Sequence, residues 1–251
     1  MELNPSLPSP SSEAVAAIAP TGVLRAGINL ANTLLVTGRD DAGRPTGVSP
    51  SLASAISEAL GVPLELVSFP GPGELVDALS ADRLDIGNIG ADPDRATVID
   101  FTNPYCTIDA TYLVRTGSGF ASVDDVDRPG VRIVSRSRAA YTLWLERNIR
   151  NASLLQTETL DEAVDKFVAD GIDALAGLRP GLLSDLTRVE GGRVLEDGFT
   201  SVLQAVGIHH SRDSSGLAYL DSFVVAAVGS GMVVQMIESF DVRGLTVAHL
   251  Q

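Results

Sequence analysis

Cysteine, lysine, histidine and aromatic residues are all scarce in this chain of 251 residues. The single cysteine, Cys106, excludes an intrachain disulfide and a thiolate zinc cage. Lys166 is the only lysine, which leaves almost no amine for Schiff-base chemistry. The three histidines, His209, His210 and His249, are too few and too close to the C-terminus to suggest a metal centre, and no cofactor is expected. With 7 Phe, 4 Tyr and 1 Trp, few rings are available to stack a sugar or a base. Positive charge is also short: 18 Lys+Arg face 32 Asp+Glu, a net charge of -14. That balance argues against nucleic acid and anionic membrane surfaces as partners. No Walker loop, Gly-x-Gly-x-x-Gly or Gly-x-Ser-x-Gly stands in the chain, so neither nucleotide binding nor a serine-hydrolase elbow has support.

The apolar runs fall far short of the roughly 20 residues a membrane-spanning helix needs, so direct membrane insertion is not expected. Residues 1–12, MELNPSLPSPSS, are rich in Pro and Ser and read as a loose tail, with 1–20 as a whole outside the folded body. No basic stretch precedes an apolar run there. The chain as written therefore reads as cytoplasmic if complete, and periplasmic if an export signal had been removed.

What is present is 45% apolar residues and a regular alternation of strand and helix signals, an α/β pattern. A strand is predicted at Val23 to Ile28 and a hairpin tip at Asp40 to Pro45. A helix is predicted to open at Ser49-Pro50, with serine as N-cap and proline at the first helical position, and to end at Gly61. Later helices are predicted around Trp144, at Leu160 to Val168, at Leu217 to Val228 and at Met232 to Phe240. An internal echo runs through the pattern. Val76, Asp77, Ala81, Asp82 and Asp85 recur as Val164, Asp165, Ala169, Asp170 and Asp173, all five at one offset. A weaker echo pairs Gly22-Val23 with Gly130-Val131. Two lobes built on one plan follow: 21–112 with 206–251, and 113–205.

The stretch Leu84-Asp85-Ile86-Gly87-Asn88-Ile89-Gly90-Ala91-Asp92-Pro93-Asp94-Arg95, followed by Ile99-Asp100-Phe101-Thr102-Asn103-Pro104-Tyr105, resembles the amino-acid-type bacterial solute-binding proteins, extracellular family 3. The opening Gly22-Val23-Leu24-Arg25-Ala26-Gly27 strand, Gly47-Val48 and the Asp173-Ala174-Leu175 strand support it. The resemblance implies a type 2 periplasmic-binding fold: two α/β lobes, two hinge crossings and a ligand cleft between the lobes. It implies a monomer that serves ABC-type transport with a membrane permease as partner. It also implies that Arg95 binds a ligand carboxylate, a role a planar guanidinium suits.

The departures from that pattern narrow the ligand. Where the second lobe of such proteins places a carboxylate for the ligand's ammonium, this chain has Leu178 and then Arg179. The loop that is usually Gly-Ser/Thr-rich reads Ser135-Arg136-Ser137-Arg138-Ala139-Ala140-Tyr141. A buried ammonium without a carboxylate is costly. The expected ligand is therefore a small organic acid rather than an ordinary α-amino acid. Candidate ligand residues are Arg95, Asn29, Asn32, Asn88, Gly90, Asp109, Ser137, Arg138, Tyr141, Leu178 and Arg179. Of the 18 basic residues, 11 fall in 113–205, so the acidity of the whole does not oppose an anionic ligand. Two other readings stay open. One is an enzyme on the same fold, dehydratase- or lyase-like, with Asp109 as its acid-base group. The other is a cytoplasmic ligand sensor.

Overall fold

The computed structural model describes residues 7–249. The chain divides into two compact units. Unit 1 takes in the chain up to Thr107 and again from Leu203, and unit 2 is Ile108–Val202.

Unit 1 begins inside the segment expected as a tail. Helix α1 (Ser12–Ile18) is capped by the Ser11 hydroxyl and buries Ala14 and Ile18 completely or nearly so. It lies close against a later helix, Ser214–Gly229, where Gly216 leaves room for Ala17 and Ile18. Strand β1 (Leu24–Asn29) is followed by the small hairpin β2 (Gly38–Arg39) and β3 (Pro45–Thr46). Helix α2 (Val48–Leu60) comes next. Its N-cap is Gly47 rather than Ser49, so Ser49 and Pro50 lie inside the first turn. A Cβ at residue 47 would fall 2.4 Å from the Leu35 carbonyl oxygen, and the backbone there has φ 136°, so only glycine fits the entry. Leu52, Ile56 and Leu60 form the buried stripe of α2, and Gly61 ends it in the left-handed conformation.

Strand β4 (Leu64–Phe69), helix α3 (Pro72–Ser80) and strand β5 (Ile86–Gly90) complete the α/β part of unit 1. A 3-10 turn at Arg95–Thr97, strand β6 (Ile99–Phe101) and strand β7 (Cys106–Arg115) follow. Strands β4, β1 and β5 are adjacent and parallel. Ile86 faces the α2 side with Leu24, Ala26 and Leu52, while Gly87 packs under Leu75 of α3 on the other side. The two crossover helices therefore cover opposite faces of the sheet.

Unit 2 repeats the plan with β8 (Arg132–Arg136), α4 (Ala140–Asn148), β9 (Ser153–Thr157), α5 (Leu160–Ala169) and β10 (Ala174–Leu178). Strands β9, β8 and β10 are adjacent and parallel, and β7 joins antiparallel to β10. Leu145 of α4 packs with Ile133 and Ala176 on one face, while Val164 and Phe167 of α5 pack with Val134 and Leu175 on the other. Helix α5 starts with a full capping box: the Thr159 hydroxyl accepts the Glu162 N–H, and the Glu162 carboxylate accepts the Thr159 N–H. Helix α6 (Arg179–Asp185) and strand β11 (Gly192–Val194) follow.

Strand β12 (Thr200–His209) passes from unit 2 into unit 1, as β7 passes the other way. In unit 1, β12 pairs antiparallel with β5 and β6. Helices α7 (Ser214–Gly229) and α8 (Met232–Ser239) then close over the α2 face, and strand β13 (Thr246–Val247) pairs with Cys106 and Thr107. Among the described residues no single helix is long and apolar enough to cross a membrane.

Candidate functional site

In an open parallel sheet the ligand end lies beyond the carboxyl ends of the strands, where successive crossovers part to opposite faces. In unit 1 that point lies between β1 and β5, because α2 leaves to one face and α3 returns on the other. In unit 2 it lies between β8 and β10 for the same reason. Most of the candidate residues stand at these two edges.

At the unit 1 edge, the Asn29 carboxamide oxygen accepts the Ala31 N–H at 3.1 Å and turns the chain after β1. Asn32 is buried in the loop beyond, and its side-chain oxygen has no hydrogen-bond partner. Arg95 is 5% exposed, and its Nη1 donates to the Gly90 carbonyl at 2.5 Å. The guanidinium is thus folded back onto the carboxyl end of β5. The Asp92 carboxylate accepts the Asp94 N–H at 2.9 Å and holds the turn that delivers Arg95. Asn88 lies one turn of the pleat below the edge. Its Nδ2 donates to the Ser49 carbonyl at 3.1 Å, inside the core under α2.

At the unit 2 edge, Ser137 donates its backbone N–H to the Thr157 carbonyl. Arg138 follows with φ 59°. Among the described residues only Asp82, Arg138 and Asp241 besides glycine have positive φ. Aspartate is enriched in this region through local hydrogen bonds, whereas arginine is uncommon there and gains no such local bond. Arg136 is buried and its Nε donates to the Glu158 carbonyl at 3.2 Å. Tyr141, at the start of α4, is 5% exposed with a hydroxyl that has no partner. Burial raises its ionisation well above the ordinary tyrosine value, with the Arg136 charge opposing and Asp185 adding. Leu178 is the N-cap of α6, and Arg179 donates from Nη1 to the Leu195 carbonyl at 2.7 Å. Asp109 on β7 is exposed and accepts the Ser201 hydroxyl from β12 at 2.6 Å.

Sequence reading missed two groups here. Ser135 and Thr142, both fully buried, pair side chain to side chain, and the Thr142 hydroxyl also donates to the Arg136 carbonyl at 2.6 Å. They pin the end of β8 to α4, but nothing in their spacing announces it. The strained backbone at Arg138 carries no sequence signal either, since Ser-Arg-Ala-Ala reads as ordinary helix entry.

Two α/β units of one plan, each with a polar edge at its strand ends and joined by two through-running strands, define a two-lobed protein of the periplasmic-binding type. The profile of the bacterial extracellular solute-binding proteins, family 3, matches residues 27–181, more than half of the chain, and the chain belongs to that family. No curated protein matches it. Among solved structures, the chain is similar to an ancestral amino-acid-binding protein described as a precursor of cyclohexadienyl dehydratase (TM-score 0.71, 23% identity, 90% of this chain and 98% of that one). It is also similar to the ArgBP of T. maritima (TM-score 0.73, 18% identity, 92% and 100%). A third is a putative ABC-transporter binding component from Wolinella succinogenes, complexed with lysine (TM-score 0.73, 23% identity, 87% and 95%).

Proposed function

We propose that this chain is the solute-binding component of an ABC-type importer, working as a monomer with a membrane permease, and that its ligand is a small carboxylate lacking an α-ammonium. Arg95 supplies the carboxylate fork from unit 1. Ser137, Arg138 and the start of α4 supply the second anchor from unit 2. The observation that carries the reading is Arg138, an arginine held in a left-handed backbone at the end of β8. Strain of this kind costs on the order of 1–3 kcal/mol and is retained where function needs it. The ligand class is supported by the residues that the ends of β8 and β10 carry: Arg136, Ser137, Arg138, Leu178 and Arg179.

Thermal-shift screening against mono- and dicarboxylates and matched α-amino acids tests this, because a ligand of the native state raises Tm. Stabilisation by carboxylates, lost in Arg95→Ala, supports the proposal. Stabilisation confined to α-amino acids contradicts the ligand class. A change in ligand mass on incubation, lost in Asp109→Asn, would favour an enzyme.

A further inference from the structure

Unit 1 contains side-chain oxygens that the fold buries and leaves unpaired. On β5, Asn88 and Ile86 face α2, and Asn88 sits in the sheet between Ile28 of β1 and Val206 of β12. It is 2% exposed, as is Ser49 in the first turn of α2. The Asn88 Nδ2 donates to the Ser49 carbonyl at 3.1 Å, which fixes the orientation of the amide. Its Oδ1 is then left without a partner, and so is Ser49 Oγ on the residue beside it. A buried polar atom without a hydrogen bond costs about 1–3 kcal/mol.

We infer that unit 1 binds an ordered internal water molecule between Asn88 Oδ1 and Ser49 Oγ, at the junction of β5 with the start of α2. The chemistry selects water. Asn88 Oδ1 only accepts, so the occupant must donate; Ser49 Oγ donates or accepts. Neither residue is charged, so nothing there favours an ion. Proteins hold about one buried water per 27 residues, each typically bonded to about three otherwise unpaired polar groups. The loop before α2 is tied to the same helix start through its backbone. The Ser49 N–H donates to the Leu35 carbonyl at 3.0 Å, Leu35 and Val36 donate to the Asn32 carbonyl, and Asn32 Oδ1 is itself buried and unpaired. The water therefore joins β5 to the start of α2, the helix start to which the Asn32 loop is bonded. This inference stands whatever the ligand proves to be.

A high-resolution crystal structure of the ligand-free protein tests it. The expected result is a fully occupied solvent peak within hydrogen-bond distance of Asn88 Oδ1 and Ser49 Oγ. In solution, oxygen-17 relaxation dispersion should count one long-lived water fewer in Ser49→Ala or Asn88→Leu than in the wild type. An empty position between the two atoms overturns the inference. So does a Ser49 hydroxyl turned to donate directly to Asn88 Oδ1. The wild-type density decides the question even if the Asn88 variant does not fold.

Discussion

Asp85 and Arg25 hold each other through both backbone and side chain. The Asp85 carboxylate accepts the Arg25 backbone N–H at 2.8 Å, its Nε at 3.1 Å and its Nη2 at 2.7 Å, and the Asp85 N–H returns to the Arg25 carbonyl. Asp173 and Arg132 make the corresponding clasp in unit 2: carboxylate to backbone N–H at 2.8 Å, and Asp173 N–H to the Arg132 carbonyl. Asp85 and Asp173 are the last members of the internal echo, so the repeat marks the residue that locks the third strand of each sheet to the first.

The two clasps differ in burial, and their energetics should differ accordingly. The Asp85 side chain is 0% exposed and Asp173 is 36% exposed. Asp85→Asn leaves the partly exposed Arg25 guanidinium and its backbone N–H poorly matched at a buried site and should cost about 1–3 kcal/mol. Asp173→Asn should cost roughly 1 kcal/mol or less. Urea unfolding of the two variants checks this; equal losses would refute the burial argument.

Arg138 ties backbone strain to binding. Arg138→Gly relieves the left-handed backbone and removes the side chain's own interaction together, so the stability of the ligand-free protein should change by no more than about 1 kcal/mol. The same change removes the proposed anchor and should weaken carboxylate binding at least tenfold. Calorimetry and denaturant unfolding on one sample read both effects. Lower stability with unchanged affinity would remove Arg138 from the site.

Two carboxylates in unit 2 respond to pH in opposite directions. Burial raises the Asp185 carboxyl, with Arg188 opposing and Asp161 adding. The native state then keeps a proton that the unfolded chain releases near 3.8, so stability falls as pH rises through that raised value. Asp185→Asn should raise Tm at pH 7 more than at pH 4. Asp125 is lowered by the Ser122 and Ala121 N–H groups, so its contribution is present above 3.8 and fades as pH falls through its lowered value. Asp125→Asn should lower Tm at pH 7 more than at pH 3. Shifts that do not vary with pH would contradict both assignments.

Cys106 is fully buried beside Tyr105, and burial raises its thiol well above the ordinary value. The native protein should react with a thiol-disulfide reagent at pH 8 far more slowly than the unfolded chain, which should titrate as one thiol. Rapid native labelling would show that β7 opens at its start.

Much of this was legible in the sequence because the signals were local. The Leu84 to Tyr105 motif named the family, and the echo anticipated the repeated α/β plan. The resemblance also put Gly90, Ser137 and Leu178 in the turns and strand ends of its pattern. What escaped depended on tertiary approach. Ser49-Pro50 has the composition of a helix start, but the cap is Gly47, where the nearby Leu35 carbonyl leaves room only for glycine. Residues 12–18 were read with a polar tail, yet Ile18 is sealed beneath α7. The type of Asn88 left open whether it faces the ligand end or satisfies a buried backbone group, and its amide donates to the Ser49 carbonyl.

The central claim is the missing ammonium partner. Titration calorimetry of one α-amino acid against the acid of the same skeleton without its amine tests it most directly. The account predicts tighter binding of the amine-free acid, by tenfold or more. Tighter binding of the amino acid by the same margin would contradict it.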